Sequence, residues 1–209
     1  MVTAGEAKLR LTQTATNGWQ LNLDLASLGF VNQLYHVLDA YKLSTNEKFC
    51  ALSVNLDAQE GKHHSLTTMA FDSEKHKLQA TSKDLVTNVT HKKELDIPPC
   101  TYEIAGAMMT LRASQLQPSM KFTLPVTDGK KLANVRVEGL GKDKLTIRGT
   151  SYNTTRYETF VFDNVLYRRK GRLLIWITDD PRRLPVQMRF LFGFPLGDIT
   201  LELEKVEKL

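Results

Sequence analysis

Two neighbouring carboxylates, Asp179 and Asp180, are the side chains of this sequence that most readily suggest catalysis. Glycosidases use two carboxyl groups about 5 to 9.5 Å apart, and neighbours at a turn can reach that separation. Asp180 also begins the segment Asp-Pro-Arg-Arg, which predicts a type I turn whose aspartate accepts backbone hydrogen bonds. Arg182 and Arg183 follow closely enough to pair with the carboxylates. A structural role is therefore favoured over a glycan-cleaving one.

The other chemistry-bearing residues match no known motif. The five histidines include neither H-E-x-x-H nor a C-x-x-C partner, and His63 and His64 are strand neighbours that point to opposite faces. A nucleophile elbow and the glycine-rich phosphate-binding loops are missing as well. The segment 139–142 (GLGK) is only a fragment of such a loop, and we interpret it as a hairpin turn. The sequence thus predicts no enzyme activity, no metal and no cofactor.

The C-terminal region predicts the elements that would position any site. Residues 173–178 (LLIWIT) favour a strand that is apolar on both faces and therefore covered on both sides. After the turn at Asp180 the chain returns through side chains of one parity, namely Val186, Met188, Phe190, Phe192 and Phe194. Gly197-Asp198 turns again, and Ile199 and Leu201 then alternate with polar residues. Three strands with two short turns predict an antiparallel meander.

Eight residues of this region are candidates for ligand binding. The row Met188, Phe190 and Phe192 either lines an apolar cavity or, as we favour, forms the packed inside of the sheet. Trp176 either stacks on a sugar or lipid or, more typically for a central strand, belongs to the core. Basic side chains crowd the turns and form either solvated strand ends or a patch that faces an anion. The candidates are Trp176, Met188, Phe190, Phe192, Arg169, Arg172, Arg182 and Arg183.

The rest of the chain alternates in the same way. Asn17-Gly18 and Asp128-Gly129 are hairpin signals, and strands are expected near 41–45, 48–57, 61–71 and 76–82 with a turn at 72–75. Helical spacing predicts one helix over 30–39 that covers a sheet face and a second over 104–112. We expect a mainly β fold, an antiparallel, strongly curved sheet or open half barrel with one or two short covering helices. No linker divides residues 1–209, so one domain with a weak seam near 113–119 is predicted.

Net charge, the length of apolar runs, the N-terminal segment and the cysteines limit the partners and the cellular compartment that can be expected. The net charge of +5 is spread along the chain without a recognition motif, so nucleic acid is not an expected partner. No run of about 18 apolar residues predicts a membrane-spanning helix. The start has no signal-peptide core, so the chain is either cytosolic or a processed exported protein. Cys50 and Cys100 form either a disulfide, which suits an oxidising compartment, or two buried free thiols.

Four segments resemble a bacterial family of exported proteins, the domain of unknown function 3108. They are residues 2–7 (VTAGEA), 97–99 (IPP) with the short helix after it, 124–131 (LPVTDGKK), and 169–186 with its RKGRL, IW, DD and RRLPV motifs. The chain departs from the family pattern at Glu103 and Gly106. Members of that family usually carry an additional strand before the motif that residues 2–7 resemble, so we expect trimming upstream of this motif.

The resemblance implies an antiparallel curved sheet or open barrel and export to the periplasm or outer envelope, with the signal peptide removed. It implies no activity, cofactor or catalytic residue. We therefore expect a non-enzymatic periplasmic or envelope module that carries a lipid or another apolar or amphiphilic ligand. The alternatives are an envelope scaffold that meets a protein partner through edge strands and basic turns and, with less support, an enzyme acting on a glycan.

Overall fold

The computed structural model describes residues 3–114, 117–192 and 197–207. Strands dominate this part of the chain, and two seven-stranded antiparallel sheets and two short helices are formed. The predicted mainly β, antiparallel class is confirmed, with two open sheets that do not close on themselves. The chain divides into two compact units, unit 1 with Met1–Gly106 and Thr127–Leu132, and unit 2 with Ala107–Val126 and Ala133–Leu209. The expectation of one continuous domain stays a prediction.

Unit 1 is a meander in which every strand pairs with the next. Its strands are β1 Gly5–Gln13, β2 Trp19–Ser27, β3 Val37–Thr45, β4 Ala51–Glu60, β5 His63–Asp72, β6 Lys77–Asp84 and β7 Thr90–Asp96. The register aligns Leu21, Leu43, Val54, Met69 and Ala80 in one cross-strand row, and all five are buried. Directly opposed residues share a face, so this row is the core of the unit.

The turns of unit 1 follow the predicted chemistry. Strands β1 and β2 form the predicted hairpin, but its loop spans residues 14–18, and only Asn17 of the Asn-Gly pair has a left-handed backbone. The Asp72 carboxylate accepts the backbone N–H groups of Glu74 and Lys75 at 3.2 and 2.8 Å, which closes the β5–β6 turn. The four predicted strands all form, and the polar segment 83–96, which gave no clear signal, contains β7.

The predicted helix over 30–39 is wrong in length and in role. Helix α1 spans only Gly29–Leu34 and buries none of its residues. Phe30 and Leu34 are 67% and 70% exposed, so α1 does not cover a sheet face. The physical reason is that Val37 and Leu38 already belong to β3, where Leu38 pairs with Ala26 of β2. Backbone pairing with β2 takes precedence over the local helical spacing.

The second sheet and the second helix follow in the chain. They comprise β8 Tyr102–Glu103, α2 Ile104–Ala113, β9 Lys121–Thr127, β10 Leu132–Ile147, β11 Thr150–Thr159, β12 Arg172–Thr178, β13 Pro185–Leu191 and β14 Asp198–Glu202. The sheet order is β14-β13-β12-β11-β10-β9-β8. The predicted second helix and the hairpin at Asp128-Gly129 are confirmed. Within the described residues, neither helix has the length and apolar character that crossing a bilayer requires.

The predicted hairpin turn at 139–142 is wrong. The pairing of β10 with β11 continues on both sides of this segment, and the register shifts by one residue between Gly139 and Gly141. The segment is therefore a β-bulge inside one sixteen-residue strand. Gly141 has a φ of 138°, a conformation that glycine adopts without the steric cost of a Cβ atom.

Cys50 and Cys100 form a disulfide in unit 1. It joins the residue just before β4 to the segment that follows β7. Beside it, the Ala51 N–H donates to the Thr101 carbonyl at 2.9 Å. The bond therefore ties together two parts of unit 1 that lie fifty residues apart in sequence.

Opening this disulfide is expected to destabilise unit 1. Releasing a loop of fifty residues restores chain entropy to the unfolded state, which corresponds to about 4 kcal/mol in the loop-closure model. Urea unfolding followed by tryptophan emission, to which Trp19 in unit 1 contributes with its ring stacked on Phe49 at 5.7 Å, measures this loss with and without reductant. The Cys50→Ala/Cys100→Ala variant is the control, and reductant should not change its midpoint. Equal midpoints for oxidised and reduced wild type would contradict the expectation.

Candidate functional site

The β12–β13 pair places part of the predicted apolar row on one face of the second sheet. Phe190 lies opposite Leu173, and Met188 lies opposite Ile175. Directly opposed side chains share a face, so the four residues form one surface. Leu173 and Ile175 are buried, whereas Met188 and Phe190 are half-buried. The row is thus packed on the β12 side and open towards the next strand.

Strand β14 extends this surface outward. Ile199 lies opposite Phe190, and Leu201 lies opposite Met188. These two β14 side chains are 49% and 41% exposed. The register therefore continues the apolar row to the last strand of the sheet without covering it. We call this surface the apolar strip, and it consists of Met188, Phe190, Phe192, Ile199 and Leu201.

Aromatic side chains and one cation meet at the Phe192 end of the strip. The Phe192 ring stacks on Phe190 at 6.1 Å between centroids and meets Phe162 edge-on at 5.1 Å. Tyr167 lies against Phe162 at 5.8 Å. The guanidinium carbon of Arg169 is 5.5 Å from the centre of the Phe192 ring, within the range of a cation–π contact. Arg169 is thus the basic candidate that contacts the strip.

Trp176 lies on the opposite face from the strip. It pairs with Gln187 across β12–β13 and belongs to a buried cluster with Ile147, Leu174, Leu184 and Val186. The indole Nε1 donates to the Asp143 carboxylate at 3.0 Å, and the side chain is 4% exposed. The structure therefore gives Trp176 the core position that composition favours and separates it from Met188, Phe190 and Phe192.

A second β-bulge changes the predicted parity of β13. Trp176 pairs with Gln187 and the next residue, Ile177, pairs with Pro185, so Val186 has no cross-strand partner. Val186 is fully buried in the Trp176 cluster. The prediction that Val186 shares a face with Met188 and Phe190 is therefore wrong, because the extra residue reverses the alternation. Phe194 of the same predicted row lies outside the described residues.

The other three candidate arginines are engaged away from the strip. Arg172 forms a bidentate pair with Glu158 at 2.7 and 2.9 Å. Arg182 donates to Asp180 Oδ2 at 2.8 Å. The guanidinium of Arg183 donates to three oxygens, the Arg112 and Ser114 carbonyls at 3.2 and 2.7 Å and the Tyr157 hydroxyl at 3.1 Å. The basic cluster seen in the sequence is therefore dispersed among internal partners.

The two neighbouring aspartates have structural partners. Asp180 Oδ1 accepts the Arg182 N–H at 2.9 Å, which confirms the predicted turn, and the Arg182 side chain holds the pKa of Asp180 below its usual value. Burial acts to raise the pKa of Asp179, but hydrogen bonds from Lys142 and Thr155 at 2.8 and 2.7 Å outweigh it and lower the pKa. These contacts give both carboxylates the structural roles that the turn chemistry favours.

Sequence reasoning missed two kinds of site residue. Ile199 and Leu201 were visible as an alternating strand, and pairing that strand with β13 would have added them to the apolar row. Asp143 gave no local signal, because its partners Trp176 and Arg156 come from other strands. Among the described residues, histidine, cysteine, aspartate and glutamate side chains nowhere form a group of three suited to a metal ion.

Glu103 is a buried carboxyl in unit 1 and therefore a second candidate for chemistry. Its Oε2 accepts the Tyr41 hydroxyl and, at 2.8 Å, the Ala105 N–H at the start of α2. Burial raises the pKa of Glu103 despite these hydrogen bonds. The contacts give Glu103 the role of a helix cap, which explains its position without a reaction.

Replacing Glu103 by glutamine is expected to change how stability depends on pH. Because the folded-state pKa lies above the ordinary 4.5, the stabilisation that comes from protonated Glu103 is complete below about pH 4.5 and is lost as pH rises through the folded pKa. Glu103→Gln keeps an oxygen for Tyr41 and Ala105 and removes the titration. The free energy of unfolding of the variant, measured in urea, should therefore gain on wild type as pH rises. A difference that stays constant with pH would contradict the raised pKa.

The neighbours Arg182 and Arg183 provide a matched comparison. Arg183→Met leaves three acceptor oxygens without their donor and is expected to cost about 2 to 4 kcal/mol of unfolding free energy. Arg182→Met removes an exposed pair with Asp180 and should leave the urea midpoint unchanged. Equal effects of the two substitutions would show that the Arg183 contacts do not stabilise unit 2.

The chain is similar in fold to a solved structure and matches a family model. A solved structure described as the crystal structure of a beta-barrel-like protein of domain of unknown function DUF1849 from Brucella abortus is similar, with a TM-score of 0.58 and 9% sequence identity. The match covers 97% of this chain and 88% of that chain, and at this identity it shows likeness of fold alone. No curated protein matches the sequence.

A family model covers nearly the whole chain. The model described as Protein of unknown function (DUF3108) matches residues 1–204, including all four segments on which the resemblance was based. The chain therefore belongs to the DUF3108 family.

Proposed function

We propose that this protein is an exported, non-enzymatic module that binds an apolar or amphiphilic ligand on the apolar strip. The observation that carries the proposal is the uncovered apolar row on β13 and β14. Ile199 and Leu201 remain 49% and 41% exposed beside half-buried Met188, Phe190 and Phe192. Contiguous apolar surface of this kind is typical of a binding site, whereas singly exposed apolar residues need no explanation.

The strip has the chemistry of an amphiphile site. A hydrocarbon chain laid along it removes apolar area from water, which contributes about 25 cal/mol per Å². Phenylalanine rings at one end offer flat contact surface for such a chain. Arg169 beside Phe192 places a permanent positive charge at that end, where it can pair with a carboxylate or phosphate headgroup. A single-chain anionic lipid is the ligand class that these features fit.

Export to the periplasm or outer envelope is part of the same proposal. The Cys50–Cys100 disulfide supports it, because disulfides persist in oxidising compartments and are rare in the bacterial cytosol. A carrier of apolar ligands has an evident use in an aqueous compartment between two membranes, where such ligands cannot diffuse freely.

A protein-interaction role in the envelope is the second candidate. The observation that favours it is that β14 is the last strand of its sheet, and an edge strand can pair with a strand of another chain. Of the two turn arginines, Arg182 is available for a partner because its pair with Asp180 is exposed. Capture of an envelope protein that is lost on Arg182→Glu, with palmitate binding absent, would favour this role over ligand carriage.

Palmitate binding by delipidated protein tests the ligand proposal. Leu201→Ser removes an exposed member of the strip and is expected to weaken binding roughly tenfold, which corresponds to the loss of one buried leucine. Leu140→Ser is the matched control, since Leu140 is a similarly exposed leucine in the β10 bulge of the same unit. Native mass spectrometry counts the bound chains, and titration calorimetry gives the affinity.

Two outcomes would overturn the ligand proposal. One is wild-type protein that binds no palmitate and carries no co-purifying lipid. The other is an equal loss of affinity in the Leu201→Ser and Leu140→Ser variants, since this would place the ligand elsewhere.

A further inference from the structure

The exposed apolar side chains of unit 1 crowd at one end of its meander. Because successive strands reverse direction, the β2–β3, β4–β5 and β6–β7 connections lie at the same end. Of eleven exposed large apolar side chains described in this unit, seven belong to the first and third of these connections, whereas the described turns 14–18, 46–50 and 73–76 at the other end carry none. We call these seven residues the apolar end, and they are Leu28, Phe30, Leu34, Tyr35, Leu85, Val86 and Val89.

Contacts link the three connections to one another or to a neighbouring strand. The Gly61 N–H in the β4–β5 turn donates to the His36 carbonyl at 2.7 Å, and the Tyr35 ring lies over Gly61. On the other side, the Leu85 N–H donates to the His64 carbonyl at 2.8 Å. The apolar end is therefore held together by contacts between its own loops.

Phe30, Leu34 and Val86 contribute little to the core of unit 1, since they are 67%, 70% and 65% exposed. Helix α1 buries none of its residues, and Val86 at the tip of the β6–β7 connection is 65% exposed. Large exposed apolar surface lowers solubility and marks an interaction site when it is contiguous. The apolar end thus has the features of a docking surface.

The backbone of the apolar end is largely satisfied from within. The Val86 and Thr87 N–H groups both donate to Asp84 Oδ1 at 2.8 Å. The Tyr35 N–H donates to the Val31 carbonyl at the same distance. A backbone bonded in this way can enter a region poor in water without leaving unpaired polar groups, and it offers little to a partner that binds by strand addition.

Two loops of the apolar end lack charged residues, and lysines lie beside them. Residues 28–35 (LGFVNQLY) and 85–89 (LVTNV) contain no aspartate, glutamate, lysine, arginine or histidine. Exposed Lys62 lies in the β4–β5 turn between the two uncharged loops, and exposed Lys83 lies in β6 two residues before Leu85. The carboxylates of Glu60 and Asp84 are close to them in the chain. Uncharged loops match the acyl boundary of a membrane, and lysines beside them can reach lipid phosphates.

From this arrangement we infer that the apolar end of unit 1 docks on the surface of a lipid bilayer. Phe30, Leu34 and Val86 enter the boundary between headgroups and acyl chains, and Tyr35 lies at the interface, where aromatic rings with a polar tip are enriched. Lys62 and Lys83 meet anionic headgroups. This surface lies in unit 1 and does not depend on the apolar strip, so it goes beyond the proposed function.

Flotation of the full chain with vesicles of phosphatidylcholine and phosphatidylglycerol tests the inference. Wild type is expected to float with these vesicles and less with vesicles of phosphatidylcholine alone. Leu34→Ser should reduce the bound fraction roughly tenfold, and Phe30→Ser/Leu34→Ser should abolish flotation. Leu52→Ser is the matched control, because Leu52 is an exposed leucine of β4 next to the 46–50 turn, at the opposite end of the meander. This variant should float like wild type.

The variants are expected to fold, because α1 contributes no buried residue, and unchanged far-ultraviolet dichroism verifies this. Wild type that stays unbound, or equal flotation of wild type and Phe30→Ser/Leu34→Ser, would overturn the inference. So would an equal loss in Leu52→Ser. Wild-type dimers that dissociate on Leu34→Ser and never bind vesicles would assign the surface to a second copy of the chain instead.

Discussion

Strand register decides which residues of this protein can work together. In an antiparallel sheet successive side chains point to opposite faces, and the cross-strand partners fix the members of each face. In unit 1 this rule gathers five apolar side chains from five strands into one buried row. In unit 2 the same rule places Phe190 with Ile199 on one face and Trp176 with Leu174 on the other. Core and candidate site are therefore two sides of the same three strands.

The two bulges show where reading the sequence alone fails. Apolar–polar alternation correctly predicts most strands, and turn-forming residues correctly predict the connections at Asn17, Asp72 and Asp180. Both kinds of signal depend on residues that are neighbours in the sequence. A single inserted residue, Val186, reverses the alternation and shifts a side chain into the Trp176 cluster. The sequence around Val186 contains no signal for this bulge, because a residue is extra only in comparison with the strand that it pairs with. The prediction of a helix over 30–39 is wrong for a related reason. Residues from Val37 onward belong to β3, which pairs with β2.

The arginines show the same dependence on distant partners. Arg182 and Arg183 are neighbours of identical chemistry, yet one is exposed beside Asp180 and the other bridges two carbonyls and a tyrosine. The sequence leaves open whether this turn carries solvated strand ends or a patch that faces an anion, and the three-dimensional contacts give its arginines individual structural roles. Two groups of apolar side chains remain partly exposed, namely the apolar strip in unit 2 and the apolar end in unit 1. These two apolar surfaces carry the functional proposals, together with the cations beside them, Arg169 at the strip and Lys62 and Lys83 at the apolar end.

Photo-crosslinking with a palmitate analogue that carries a diazirine on its acyl chain tests the central claim most directly. In solution without vesicles, the account predicts that adducts map to β13 and β14, on Met188, Phe190, Phe192, Ile199 or Leu201, and that unlabelled palmitate competes for them. Adducts on the opposite face around Trp176, or labelling spread evenly over the chain without competition, would contradict it.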